Sequence, residues 1–299
     1  MRWGDFRQSG NVEDRRGGGG GGFGGGGMRM GGRGGVGIGT MIVLGIIGYA
    51  LGIDPRVLIG GAEMISGGGS GYTQSAPQAQ RGTPQDQAGQ FAAAILGNTE
   101  DVWKEVLPAQ TGKPYEPPRM VLFSGATRSG CGFAQAAMGP FYCPQDRTVY
   151  IDLSFFQEMQ TKLRAGGDFA YAYVIAHEVG HHIENILGIL PQVQARQRQS
   201  DQVTANQLSV RVELMADCLA GVWAHHSNRR WNALEPGDVE EAMNAAQAIG
   251  DDRLQRASQG YVVPDSFTHG SSEQRVRWFM TGMKGGDVRQ CDTFSARAI

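Results

Sequence analysis

Five consecutive residues, His177-Glu178-Val179-Gly180-His181, constrain this chain more than any other stretch. On an α-helix, side chains four apart lie about 40° apart in azimuth and one turn apart in height, so His177 and His181 offer ring nitrogens to one ion. Glu178, about 100° round from His177, is poorly placed to bind that ion but well placed to meet a water beside it. The spacing is that of a zinc site suited to metal-assisted hydrolysis, and it requires a helix packed against an element that supplies a third ligand.

The pattern from Phe169 to Leu187 supports the helix. With His177 at zero, Ile175, Val179, Ile183, Ile186 and Leu187 fall within roughly 160–280°, opposite the two histidines. Asp168 is the expected N-cap, and Gly188 followed by Pro191 marks the end. The third ligand is expected from Glu213, with Asp217 one turn beyond it, on a helix from about residue 192 to 226. Ala216, Ala220 and Ala224 flank these carboxylates and form a small-residue face that lets the two helices approach closely. In this reading Glu213 reaches the metal and Asp217 accepts a hydrogen bond from a ligand imidazole.

The remaining sequence divides by composition. The chain has 299 residues and a formal net charge of -2, which gives no whole-chain electrostatic argument for nucleic acid. Residues 1–35 carry a Gly tract and several arginines and read as a disordered tail too poor in apolar side chains to build a core. Residues 36–53 are 18 residues without a charge, long enough at helical rise to span roughly 27 Å and so to cross a bilayer. A cleaved signal peptide is the rival reading. Arginines 2, 7, 15, 16, 29 and 33 precede the apolar stretch, so the N-terminus is expected in the cytoplasm and the rest outside it. Residues 54–84 read as a juxtamembrane segment and flexible linker, leaving residues 85–299 for a soluble domain.

Within that domain a helix is expected from Gln87 to Leu107, kinked at Gly97-Asn98 and ended by Pro108. Strands are expected at Met120–Phe123 and Thr148–Phe155, the latter with an edge free to pair with an extended peptide. Further helices are expected at about 157–164, 235–259 and 273–280, the last capped by Ser271 or Ser272. His182, His225 and His226 read as packing or helix-end residues. The four cysteines, Cys131, Cys143, Cys218 and Cys291, contain no Cys-x-x-Cys pair. In an oxidising compartment three pairings are open, and the favoured one joins Cys131 to Cys143 and Cys218 to Cys291.

His177-Glu178-x-x-His181 followed by Glu213-x-x-x-Asp217 resembles the gluzincin class of metallopeptidases, in which a glutamate is the third zinc ligand. More closely, the chain resembles a bacterial neutral zinc metallopeptidase family of single-pass proteins with a Gly/Arg-rich N-terminus. The matching stretches are residues 139–144, 149–152, 176–182, 213–218 and 267–270. The resemblance implies an α+β, zincin-like domain, mainly helical with a small sheet, preceded by one transmembrane helix. It also implies one zinc per chain held by His177, His181 and Glu213, Glu178 as general base, and a protein or peptide substrate. His269 is similar in setting to a late histidine that stabilises the oxyanion in membrane-associated gluzincins. The expected protein is therefore a membrane-anchored, extracytoplasmic zinc endopeptidase whose contacts are a peptide substrate and, through residues 36–53, lipid. A non-catalytic, zinc-stabilised scaffold is the alternative, although a scaffold has no need of Glu178.

Overall fold

The computed structural model describes residues 1–16, 80–81 and 84–299; the membrane segment expected at 36–53 and most of the expected tail and linker lie outside the described residues. Among the described residues no helix is long and apolar enough to cross a membrane.

The architecture is α+β and mainly helical. A five-stranded sheet runs in the order β2-β1-β3-β7-β6, and β4-β5 form a separate hairpin. Strand β1 (Val12–Asp14) pairs parallel with β3 (Arg119–Phe123), which pairs parallel with β7 (Thr148–Asp152). The flanking strands β2 (Gln80–Arg81) and β6 (Phe141–Cys143) run antiparallel to β1 and β7. Period-two alternation sends Met120, Leu122, Val149 and Ile151 into the main helical core, while Val121, Phe123 and Tyr150 form a smaller cluster with Cys143 on the other face. The loop between β3 and β7 holds the hairpin of β4 (Ala126–Ser129) and β5 (Gly132–Gln135), stapled to β6 by Cys131–Cys143.

Two expectations about this sheet are corrected. Strand β7 is internal, flanked by β3 and β6, so it offers no free edge. The expected disorder of residues 1–35 does not hold for residues 1–16, and the expected linker contains β2. By composition the Gly tract and the segment before it read as one unit. That first segment instead buries Phe6 and Val12, stacks Trp3 edge-on against Phe91 at 5.4 Å, and donates Ser9 N–H to Ala93 O at 2.9 Å.

The helices follow from their caps. Helix α1 (Gln87–Thr111) starts at Asp86, whose side chain accepts from Gly89 N–H, and ends on left-handed Gly112. It continues through Gly97 and carries Pro108 in its last turn, so neither residue ends it. Gly97 has a different role: a Cβ there would lie 2.1 Å from Arg7 O, so its bare backbone admits the N-terminal segment. After α2 (Ser154–Thr161) comes the motif helix α3 (Asp168–Ile186). Its N-cap is Gly167 rather than Asp168, and its Phe169 N–H is satisfied from a distance by Glu241 Oε2 at 3.1 Å.

The helix expected over 192–226 is two, α4 (Ile189–Gln197) and α5 (Gln202–Trp231), the second initiated by Asp201 accepting from Thr204 N–H. Likewise the helix expected over 235–259 divides into α6 (Asp238–Ala248) and α7 (Asp251–Gln259). Helix α8 (Ser272–Gly285) opens with a complete capping box between Ser271 and Gln274.

Helix α5 is the central element, lying against α3 on one side and α8 on another. Glycines at the α5–α8 crossing set its closeness: a Cβ on Gly282 would sit 1.9 Å from Cys218 O, and one on Gly221 would sit 2.1 Å from Phe279 O. Cys218–Cys291 ties the same stretch of α5 to the C-terminal segment. Gly282→Ala is therefore expected to destabilise the fold by about 2 kcal/mol, seen as a melting temperature roughly 4–8 °C lower. An unchanged melting temperature would show that the two helices do not pack this closely.

Candidate metal centre

Helix α3 carries His177 and His181 one turn apart, with imidazole centroids 4.8 Å apart. Gly180 lies between them, and a Cβ there would come 2.9 Å from Ala216 O. The backbone of α5 thus passes directly over the motif, with Glu213 and Asp217 on either side of Ala216. Donor atoms of His177, His181 and Glu213 all lie within 4.8 Å of one another. Glu213 Oε2 is 3.1 Å from His177 Nε2, and Oε1 is 3.6 Å from His181 Nε2.

These separations suit zinc. Bonds of about 2.0–2.1 Å in a tetrahedral shell place neighbouring donors about 3.3 Å apart, and the observed separations of 3.1 and 3.6 Å bracket that value. The chemistry also fits, because two neutral imidazoles and one carboxylate are a familiar zinc set.

Both ring orientations are fixed from behind. His177 Nδ1–H donates to Asp217 Oδ1 at 2.8 Å, and His181 Nδ1–H donates to Glu184 Oε2 at 2.8 Å. Each pairing leaves the Nε2 lone pair facing Glu213. Asp217 is fully buried and held by Arg275, whose Nε and Nη2 donate to its two oxygens at 2.8 and 2.9 Å. Tyr173 OH adds a third donor at 2.5 Å.

The electrostatics favour a cation. Burial pushes the Asp217 carboxyl up, but the Arg275 guanidinium and His177 outweigh it and hold it below the usual range. Burial likewise opposes ionisation of Glu213, yet His181, His269 and His177 together bring it down. Burial lowers the proton affinity of His177, but Asp217 and Glu213 hold it up to about 10. His181 is also raised, its burial outweighed by Glu213 and Glu184. The two carboxylates are thus favoured in their charged form and set a negative field around the imidazoles. The same negative field attracts a dication.

Glu178 and Glu184 behave differently. Burial raises the Glu178 carboxyl, which lies within electrostatic reach of both motif histidines and Glu213. Burial raises Glu184 to about 7 in spite of His181, and its Oε1 has no hydrogen-bond partner. His269 is near enough for its charge to bear on Glu213. Its own Nδ1 meets Asp251 Oδ1 at 3.3 Å, and the backbone N–H groups of 268, 269 and 270 all donate to Asp251 Oδ2. The loop is thereby fixed on the first turn of α7, with the His269 ring a quarter exposed.

The other histidines pack. His182 donates from Nε2 to Glu116 O at 2.6 Å and accepts from Tyr142 OH at 2.9 Å, so it ties α3 to β6. Burial drives its pKa down to about 4, which keeps it neutral. His225 and His226 sit inside α5, not at its end, and meet Met283 O and Gly286 O.

Glu184, Arg275 and Tyr173 belong to no motif that assigns them a role from sequence. Glu184 was accessible as the residue one turn beyond His181 on the same face. Tyr173 lies one turn before His177, but nothing local points it at Asp217. Arg275 reaches the site only through the packing of α8, which no local spacing reveals.

A histidine pair on one helix, completed by a carboxylate from a second helix and braced by buried carboxylates, makes a candidate metal centre in an α+β protein. The chain belongs to the family described as Putative neutral zinc metallopeptidase, whose model matches residues 1–294. It is 51% identical over 302 residues to Uncharacterized protein YpfJ of Escherichia coli strain K12, covering 98% of this chain and 99% of that one. It is 44% identical over 230 residues to Uncharacterized protein Mb2605 of Mycobacterium bovis, covering 73% of this chain and 75% of that one. No solved structure matches.

The hydrogen bond behind His181 has a measurable consequence. Glu184→Leu is expected to weaken zinc affinity by about 10–100-fold, while Glu184→Gln, which still accepts from Nδ1–H, keeps it near the native value. Chelator competition reads both. Equal affinity in the leucine variant would remove Glu184 from the support of the site.

Proposed function

We propose that this protein is a zinc-dependent peptidase with a zincin-like domain, binding one zinc per chain through His177, His181 and Glu213. The observation that carries the reading is the convergence of two Nε2 atoms and Glu213 beside a buried glutamate, Glu178, that is not needed as a ligand. Membership of a family described as zinc metallopeptidases supports it. A zinc ion held there would act as a Lewis acid and lower the pKa of a water toward ~7.

The chain's own residues supply the rest. Glu178, its proton affinity raised by burial, takes a proton from the attacking water and passes it to the leaving amine nitrogen. Asp217 and Glu184 keep His177 and His181 in the tautomer that presents Nε2. His269 is held by Asp251 through Nδ1, and burial's tendency to lower its pKa is overcome by Glu213 and Asp251. In this reading its Nε2–H donates to the oxyanion formed on the scissile carbonyl, a role that contributes a few kcal/mol. The substrate is a protein or peptide outside the cytoplasm, in the compartment where Cys131–Cys143 and Cys218–Cys291 form. Residues 36–53 bring the domain to a bilayer.

Hydrolysis of a denatured protein substrate tests this reading directly. Glu178→Gln is expected to retain zinc and lose about 10²–10⁴-fold in turnover. A zinc-loaded glutamine variant that cleaves at the native rate would assign the base elsewhere.

A further inference from the structure

The described residues before and after the apolar stretch form one folded unit. Val12, Glu13 and Asp14 pair in register with Met120, Val121 and Leu122 of β3, and Glu13 and Asp14 pair on their other side with Arg81 and Gln80. Strand β1 is thus an interior strand of the sheet that backs the metal helix. The pairing extends in both directions: Met120 N–H donates to Asn11 O at 2.9 Å, and Arg15 N–H donates to Leu122 O at 2.8 Å. Glu100, almost fully buried on α1, accepts from Ser9 Oγ at 2.6 Å, Asn11 Nδ2 at 2.7 Å and Arg7 Nη2 at 2.7 Å. Trp3 Nε1 donates to Asp168 Oδ2, at the first turn of α3, at 3.1 Å. Loss of this segment would leave the buried Glu100 carboxylate without these donors and an interior edge of β3 unpaired.

A single crossing of a bilayer by residues 36–53 would put Asp14 and Gln80 on opposite sides of a hydrocarbon core roughly 30 Å thick. They are paired residues on adjacent strands. Residues 54–79 offer no second crossing, because they contain Asp54, Pro55, Arg56 and Glu63 followed by a Gly-, Ser- and Gln-rich run. The arginines that gave the orientation expectation are largely engaged in the fold. Arg7 pairs with Glu100 and Asp101, Arg15 with Glu13, and Arg16 with Asp14 and Asp86.

We infer that residues 1–16 and 84–299 share one compartment, so that the apolar stretch between them does not divide the chain across a bilayer. This replaces the expected arrangement of a cytoplasmic N-terminus and an extracytoplasmic domain. It does not rest on the proposed function; peptidase activity neither supports nor weakens it, so the two readings fail separately.

Single cysteines placed in the full chain test the inference. Gly10→Cys and Gly4→Cys report on the N-terminal segment, where an added Cβ meets nothing within 4 Å. Ala257→Cys reports on the exposed side of α7. Each variant is fractionated and treated with a membrane-impermeant maleimide before and after permeabilisation of intact bacterial cells. The expected result is that the N-terminal and domain sites are labelled together, in the same one of the two conditions. Labelling of one site in intact cells and of the other only after permeabilisation would overturn the inference.

Discussion

The candidate metal site depends on one close helix crossing. Gly180 of α3 faces Ala216 of α5 with no room for a Cβ, and that proximity lets Glu213 reach past both imidazoles while Asp217 reaches behind one of them. A side chain at 180 would push α5 outward and open the donor set, whatever the identity of the ligands. The motif's two variable positions are therefore not equivalent. Val179 is fully buried core, whereas Gly180 is a spacing device between helices.

A second constraint is the buried ion pair beneath the crossing. Asp217 and Arg275 are both almost wholly excluded from solvent. Removing one partner of such a pair is strongly destabilising, about 3–5 kcal/mol, because the other is left charged and unpaired. Here the pair also has a chemical use, since an Asp217 kept ionised by Arg275 holds His177 in one tautomer. Stability and metal-site geometry thus rest on the same contact. Helix α8 contributes it, and the capping box at Ser271 fixes the start of α8 just after His269.

Much of this was legible in the sequence because it is local. The i, i+4 spacing of His177 and His181, the small residues around Glu213 and Asp217, and the apolar alternation of β3 and β7 all follow from helix and strand periodicity. Both disulfides joined the favoured pairs. The failures were non-local. Helix boundaries at 198–201 and 249–250 were set by Asp201 and by the turn at Gly250, against a pattern that continued across them. The N-terminal segment looked disordered because its few apolar residues, Trp3, Phe6 and Val12, gain their value only against α1, Trp231 and β3. Arg275 is one more charged residue in sequence and a fully buried bracket in three dimensions.

The central claim is that His177, His181 and Glu213 bind one metal ion. Metal analysis of the purified chain, beside Glu213→Ala and His181→Ala, tests it most directly. The account predicts about one zinc per native chain and a marked loss in both variants, with the fold retained. Correctly folded native protein that takes up no zinc when supplied with it, or variants that bind as tightly as the native chain, would contradict it.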